Sequence, residues 1–267
     1  MIRDITIGQY YPAKSKLHRL DPRTKIVCTL LYLISLFLID NILGYVLATV
    51  FLIFMIRVSK VPFKFIVRGL RPIIMLLMIT VLFNLLLTKT GNVIAKFWIL
   101  KITDEGAKIA GFMAIRLIYL ILGSSLMTFT TTPNELTDGI ERLLKPLQKI
   151  KVPVHEIAMM MSIALRFIPI LLEETDKIMK AQIARGADLE SGNLIQKAKA
   201  MIPILVPLVV SAFRRANELA MAMEARCYRG GDGRTKMKPL VYKKRDFIAY
   251  VIMILYVAVT VAIGIVV

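Results

Sequence analysis

The sequence predicts an all-α integral membrane protein, with about five transmembrane helices and a cytoplasmic or interfacial domain of three amphipathic helices. Three observations predict it. Hydrophobic residues make up 57 % of the 267, and mean hydropathy is +0.67. That lies above the roughly 45–50 % apolar usage of soluble domains. The chain nevertheless carries 20 % charged residues and a formal net charge of +18, so apolar and basic segments are segregated. Apolar runs near the ~20 residues needed to cross a bilayer then recur between Lys- and Arg-rich segments.

Residues 1–25, "MIRDITIGQYYPAKSKLHRLDPRTK", hold no apolar core followed by a small-residue cleavage site, so they read as a cytoplasmic segment rather than a signal peptide. Residues 26–131 form a four-span region. Ile26–Ile56 is too long for one span and is broken at "DNILG", Asp40–Gly44, where Asp and Asn favour a turn. Pro72–Leu87 is a short clean span between Arg71 and Lys89. Ala107–Phe129 is long enough, with Lys108 near one end and Arg116 inside. Residues 231–246 form a basic linker, and 247–267 the last span, free of charge. "GGDGRTKMK", Gly230–Lys238, suits anionic lipid head groups.

Lysines and arginines set the orientation. The segments before the first span, between the second and third, and from Pro133 to Arg245 are the rich ones, and five spans put them on one side. The N-terminus and the insert are therefore expected in the cytoplasm and the C-terminus outside.

The insert, 132–230, opens with Thr132, Pro133 and Glu135, a helix-start signature of cap, first-position proline and capping-box acid. Leu136, Ile140, Leu143, Leu144 and Leu147 make one apolar stripe, and Pro146 and Pro153 end or kink the helix. Two longer helices follow, His155 to Arg185 and Ile195 to Arg226. Each begins apolar nearly all round ("IAMMMSIALRFIPILL", "MIPILVPLVVSAF") and ends amphipathic.

Both end in Ala-Arg and a small residue: Ala184-Arg185-Gly186 and Ala225-Arg226-Cys227. One reading is a helix C-cap, with the arginine complementing the macrodipole and Gly186 in the left-handed conformation. Cys227 fits that reading less well, since a side chain is penalised there, so the second helix is expected to run on to Arg229 with Gly230 as the cap. The other reading is a planar charged fork for a partner's carboxylate.

Cys28 and Cys227 lie far apart, and no disulfide is expected. His18 and His155 lack Cys, Asp or Glu at metal-ligand spacing and read as ordinary interfacial residues. Arg116 has no acid within a span; it is expected to bind a partner subunit, stabilise the turn of the insert or mark an ion path, with a structural or interface role favoured. Asn84 is a weaker candidate of the same kind. The methionines in "MAIRLIYL", "EIAMMMSIAL" and "ELAMAME" either fill packing gaps or offer an adaptable contact surface. No G-x-x-x-x-G-K-[ST] loop occurs, so a nucleotide site of that type is excluded. Neither the two-half symmetry of a secondary transporter nor the acid–base cluster of a membrane enzyme is visible. Cytoplasmic loops account for the basic charge without nucleic acid.

The whole chain resembles the transmembrane T component (EcfT/CbiQ-like) of energy-coupling factor (ECF) type ABC transporters, the vitamin and metal importers of prokaryotes. "GQYYPAKSKLHRLDPRTK" is similar to that family's N-terminal segment and "TFTTTPNELTDGIERLL" to its first coupling helix. "RFIPILLEETDKIMKAQIARGADL" and "ANELAMAMEARCYRG" resemble its two long coupling helices. The resemblance implies a non-catalytic subunit with no cofactor, substrate or metal site of its own. Ala184, Arg185 and Gly186, and Ala225, Arg226 and Cys227, are then the motifs that dock two cytoplasmic ABC-type ATPases, where ATP and magnesium belong. Cys227 departs from the family's glycine. The coupling helices are expected to pass ATPase movement to a substrate-binding membrane S component, one or several interchangeable ones. The N-terminal segment leans toward the shared-module branch.

Overall fold

A computed structural model describes residues 10–70, 73–87, 93–97, 100–187, 193–230, 237 and 239–266. The chain forms two compact units, one over Gly8–Gly139 and Leu240–Val267, the other including Ile140–Pro239.

In the first unit, α1 (Pro22–Phe37) starts four residues before the expected Ile26. Asp21 is its cap, accepting from the Arg23 N–H at 3.0 Å, and Pro22 supplies a preset φ at the first position. The break before α2 (Ile42–Ser59) falls at residues 38–41 rather than at 40–44. Leu38 turns back onto the Ser35 carbonyl, Asn41 caps α2, and Gly44 is buried inside that helix instead of making the turn. A short α3 (Phe63–Arg68) follows, which hydropathy alone did not predict. The next helix is α4 (Ile74–Leu87); Arg71, Pro72 and Lys89 lie outside the described residues. The expected 88–106 loop contains an antiparallel ribbon of β1 (Val93–Phe97) and β2 (Leu100–Thr103), with Phe97 opposite Leu100. Apart from this ribbon, the regular elements described are helical. The Thr103 side chain then caps α5 (Asp104–Thr130) through the Gly106 N–H at 3.2 Å, so the helix begins before the expected Ala107. The last helix, α9, runs Lys244–Val266.

α1, α2, α5 and α9 pack around one core, and α3 and α4 lie against α5. Leu36 and Ala48 are fully enclosed, Phe51 stacks on Tyr256 with centroids 4.2 Å apart, and Tyr32 lies on Phe51 at 5.9 Å. Gly123 makes the approach of α5 possible: a Cβ there would come within 2.6 Å of the Tyr32 ring. The outer faces expose Leu30, Ile34, Val50, Val251 and Leu255, as helices facing lipid do.

Polar ties bind the ends of these helices. The buried Asp246 carboxylate accepts the Asp21 and Lys243 N–H groups, each at 2.8 Å. Arg23 pairs with Asp21 at 3.0 Å and lies 3.9 Å over the Tyr242 ring. Lys25, 5 % exposed, donates to the Thr130 carbonyl at 2.7 Å and the His18 carbonyl at 3.2 Å, closing the end of α5. Arg116 does find an acid, in the turn rather than in a span. It donates to Asp40 at 3.2 Å, to the Ile39 carbonyl at 2.8 Å and to the Tyr45 hydroxyl at 3.2 Å. It therefore caps the end of α1, a structural role at the α1–α2 turn rather than at the turn of the insert. Asn84 donates to the Thr80 carbonyl one turn back, within its own helix.

α6 (Pro133–Leu144) begins with the expected capping box: Glu135 N–H donates to Thr132 Oγ1 at 3.3 Å and Thr132 N–H to Glu135 Oε2 at 3.4 Å. It ends in a 3₁₀ turn, Lys145–Ile150, that starts beside Pro146. Pro153 then precedes α7 (Val154–Ala184), and α8 spans Leu194–Ala225. A second capping box, Asn193 with Gln196, starts α8; no such signal was read from "SGNLIQ".

Among the described residues, five helices are long and apolar enough to cross a membrane: α2, α5, α7, α8 and α9. The number matches the expectation, and the membership differs. α1 and α4, with 16 and 14 residues, fall short, whereas α7 and α8 qualify through their apolar first halves. Their second halves carry Glu173, Glu174, Asp176 and Lys177, and Arg214, Arg215, Glu218 and Glu224. Such groups are costly in hydrocarbon, which sets these two apart from the charge-poor α2 and α9.

Candidate coupling surface

α7 and α8 pack against each other and run in opposite directions: Gln182 lies beside Pro203, and Glu174 beside Arg215. The first contact follows from sequence chemistry. Pro207 has no N–H, so the Pro203 carbonyl one turn earlier has no intrahelical donor. The Gln182 side-chain amide donates to it at 3.4 Å. The second contact is an ion pair, with Arg215 donating to Glu174, both partly exposed. Near the start of α7, His155 meets Glu141 at 3.0 Å and anchors it to the end of α6. His18 contacts Ser15 and the Tyr11 carbonyl at 2.7 and 2.9 Å, so both histidines have structural contacts.

The two Ala-Arg motifs end these helices in the same way. In α7 the Gly186 N–H donates to the Ile183 carbonyl at 2.9 Å and the Ala187 N–H to Gln182 at 3.0 Å. In α8 the Cys227 N–H donates to Glu224 at 2.8 Å and the Tyr228 N–H to Met223 at 3.0 Å. Both are Schellman motifs, with Arg185 and Arg226 as C-caps. Gly186 has φ +87° and Cys227 φ +54°. The expectation that α8 continues to Arg229 is thus corrected: α8 stops at Ala225, and Cys227 itself takes the left-handed conformation. The paired N–H bonds to Glu224 and Met223 offset a strain of roughly 1–2 kcal/mol for a side chain there.

Ala184, Arg185, Gly186, Ala225, Arg226 and Cys227 are all exposed. Among the described residues neither arginine forms an ion pair. The motifs do not converge. Arg185 ends α7 beside the Pro203 level of α8, while Arg226 lies on the order of 35 Å farther along α8 at ~1.5 Å per residue. Between them the pair exposes Met201, Ile202, Leu205, Val206, Val209 and Phe213.

The family model described as cobalt transport protein (CbiQ) matches residues 13–237. A Clostridium kluyveri protein, "Energy-coupling factor transporter transmembrane protein EcfT", is 59 % identical over 98 % of this chain and 97 % of its own. Proteins of the same name from Ruminiclostridium cellulolyticum and Bacillus subtilis are 55 % and 49 % identical, covering 96 % and 97 % of this chain and 99 % and 97 % of theirs.

Proposed function

The chain belongs to the cobalt transport protein (CbiQ) family, with EcfT proteins as its relatives, and on that premise we propose that it couples ATP-driven movement to micronutrient import. It is a multi-pass membrane subunit. On our reading its N-terminus and the 132–230 region are cytoplasmic and its C-terminus extracellular. Two ABC-type ATPases hold the ATP and magnesium, and a substrate-binding S component, a single one or several in turn, selects the vitamin or metal. The subunit itself carries no catalytic, substrate or metal site.

One observation carries the reading: two exposed arginine C-caps of the same backbone form, without an ion pair among the described residues, at opposite ends of one antiparallel helix pair. Each tip suits an acidic groove on one ATPase, and a separation on the order of 35 Å leaves room for one subunit at each. The apolar surface between the tips suits a membrane partner or the bilayer interface.

Reversing a charge at such a contact costs roughly 2–5 kcal/mol. The tagged chain, extracted gently from its native membrane, should bring down two ATPases and at least one small membrane protein near stoichiometry. Arg185→Glu and Arg226→Glu should each lose one ATPase, and the double variant both. A wild-type chain that purifies alone, or a double variant that keeps both ATPases, overturns the assignment.

A further inference from the structure

The first unit contains a cavity of about 640 Å³ between α1, α2, α5 and α9. Its walls include Phe51, Met55, Leu126, Ile248, Ile252 and Met253, and among the described residues no carboxylate lines it. The four helices contribute Thr24 to Tyr32, Val58 to Phe51, Thr130 to Gly123 and Arg245 to Met253. Each stretch is about two turns, so the cavity runs roughly 12 Å along the helices. All four stretches start from one end, and there Lys16, Arg19 and Arg245 join the lining. These three side chains are exposed, and among the described residues none forms an ion pair. Lys25 adds positive potential beneath them while its own donors serve Thr130 and His18.

We propose that this cavity binds one anionic phospholipid, its phosphate held by Lys16, Arg19 and Arg245 and an acyl chain laid between the four helices. The charge and the apolar depth are both needed for this assignment. A basic cluster alone would serve any phosphate, and an apolar cleft alone any lipid tail. An amphiphile with one negative head uses both, and the cavity runs along the helices as lipid chains do. Basic pockets between membrane helices hold anionic head groups for this reason.

The test uses the full purified chain in neutral detergent, titrated with phosphatidylglycerol, phosphatidylcholine or inorganic phosphate and read by native mass spectrometry. One phosphatidylglycerol should bind at least tenfold more tightly than phosphatidylcholine and resist millimolar phosphate. The triple variant Lys16→Gln, Arg19→Gln, Arg245→Gln should bind phosphatidylglycerol no better than phosphatidylcholine. Ala249→Phe, which fills the cavity and leaves every charge in place, should weaken both lipids at least tenfold. Either variant must elute as the wild type does, so that one misfolded variant leaves the other to decide. Equal affinity for the two lipids, or unchanged phosphatidylglycerol binding in Ala249→Phe, overturns the proposal. Full displacement by phosphate makes this a free-anion site and overturns it too.

Discussion

Replacing Asp246 by alanine should destabilise the first unit more than any charge removal on its surface. Asp246 is 1 % exposed, and its two oxygens accept the Asp21 and Lys243 N–H groups at 2.8 Å each. The two donors do not lose equally. Asp21 is 7 % exposed, so its amide would be left buried without a partner, at roughly 1–3 kcal/mol. Lys243 is exposed, so its amide turns to water and the loss is only a net hydrogen bond, about 1 kcal/mol. The sum is about 2–4 kcal/mol. At ~2–4 °C per kcal/mol for a chain of this size, the melting midpoint should fall by roughly 4–16 °C. Asp246→Asn keeps one acceptor and turns an NH₂ toward the other donor, so it should fall between the two.

The assay is thermal unfolding of the purified full chain in detergent, with hydrogen exchange at the Asp21 amide as the local readout. Asp104→Ala is the control. Its partner Lys108 lies at 3.3 Å with both side chains at least half exposed, and such pairs contribute no more than ~0.5 kcal/mol. If Asp246→Ala melts with Asp104→Ala and the Asp21 amide stays protected, the reasoning about this tie is refuted.

Arg116→Leu should cost about 1–3 kcal/mol of stability through the orphaned Ile39 carbonyl while partner recovery on purification stays at the wild-type ratio; lost partners would instead make Arg116 a subunit contact. Cys227→Gly should relieve the left-handed strain, less ~0.5–1 kcal/mol of added chain entropy, and keep both ATPases, whereas Cys227→Val should shift Arg226 and reduce recovery of one ATPase. Burial holds the His18 imidazole below its ordinary value of 6.5, the Tyr11 carbonyl opposing and the Lys25 charge assisting. A base with a depressed folded value favours the neutral form, so its stability is full above pH 6.5 and declines as pH falls through that value. Exchange protection of the Tyr11–His18 segment should therefore drop between about pH 7.5 and 5.5, corrected for intrinsic rates, and His18→Ala should remove that dependence.

What was legible in the sequence was local. The Thr132–Glu135 box, the α6 stripe and the glycine-capped end of α7 depend on residues within two turns of one another. The start of α1 was equally local: "LDPRTK" carries a cap and a first-position proline, but a search for apolar runs begins at Ile26 and passes over it. The β1–β2 ribbon was missed for the same reason, since its β-branched residues fall below span length. Other features were out of reach. The Asp21–Asp246 tie joins residues 225 positions apart, and Arg116 meets Asp40 across 76. Cys227 was misjudged because local strain was weighed without the two N–H bonds that only the folded turn supplies.

The shared Schellman geometry also bears on what the arginines are for. In each motif backbone N–H groups already satisfy carbonyls of the last turn, Gln182 and Ile183 in α7 and Met223 and Glu224 in α8, so the guanidinium is not what closes the helix. Its macrodipole contribution, about 0.3–1 kcal/mol, would be met as well by lysine. The planar fork is surplus to the helix, and among the described residues it forms no ion pair. With tips on the order of 35 Å apart and a Debye length of about 8 Å at physiological salt, a charge docked at one tip is screened from the other. On the proposed function, movement passed between the tips would travel through the helices and the contacts that hold them, among them Arg215–Glu174 and Gln182–Pro203. Docking and transmission should therefore separate. Arg215→Ala removes a partly exposed ion pair, and exposed pairs contribute little to stability, so the fold and both helix tips should survive. The purified complex should keep two ATPases and hydrolyse ATP, while substrate uptake into vesicles falls severalfold. Uptake at the wild-type rate would show that the crossing does not carry the movement, and loss of an ATPase would show that the tips depend on it for docking.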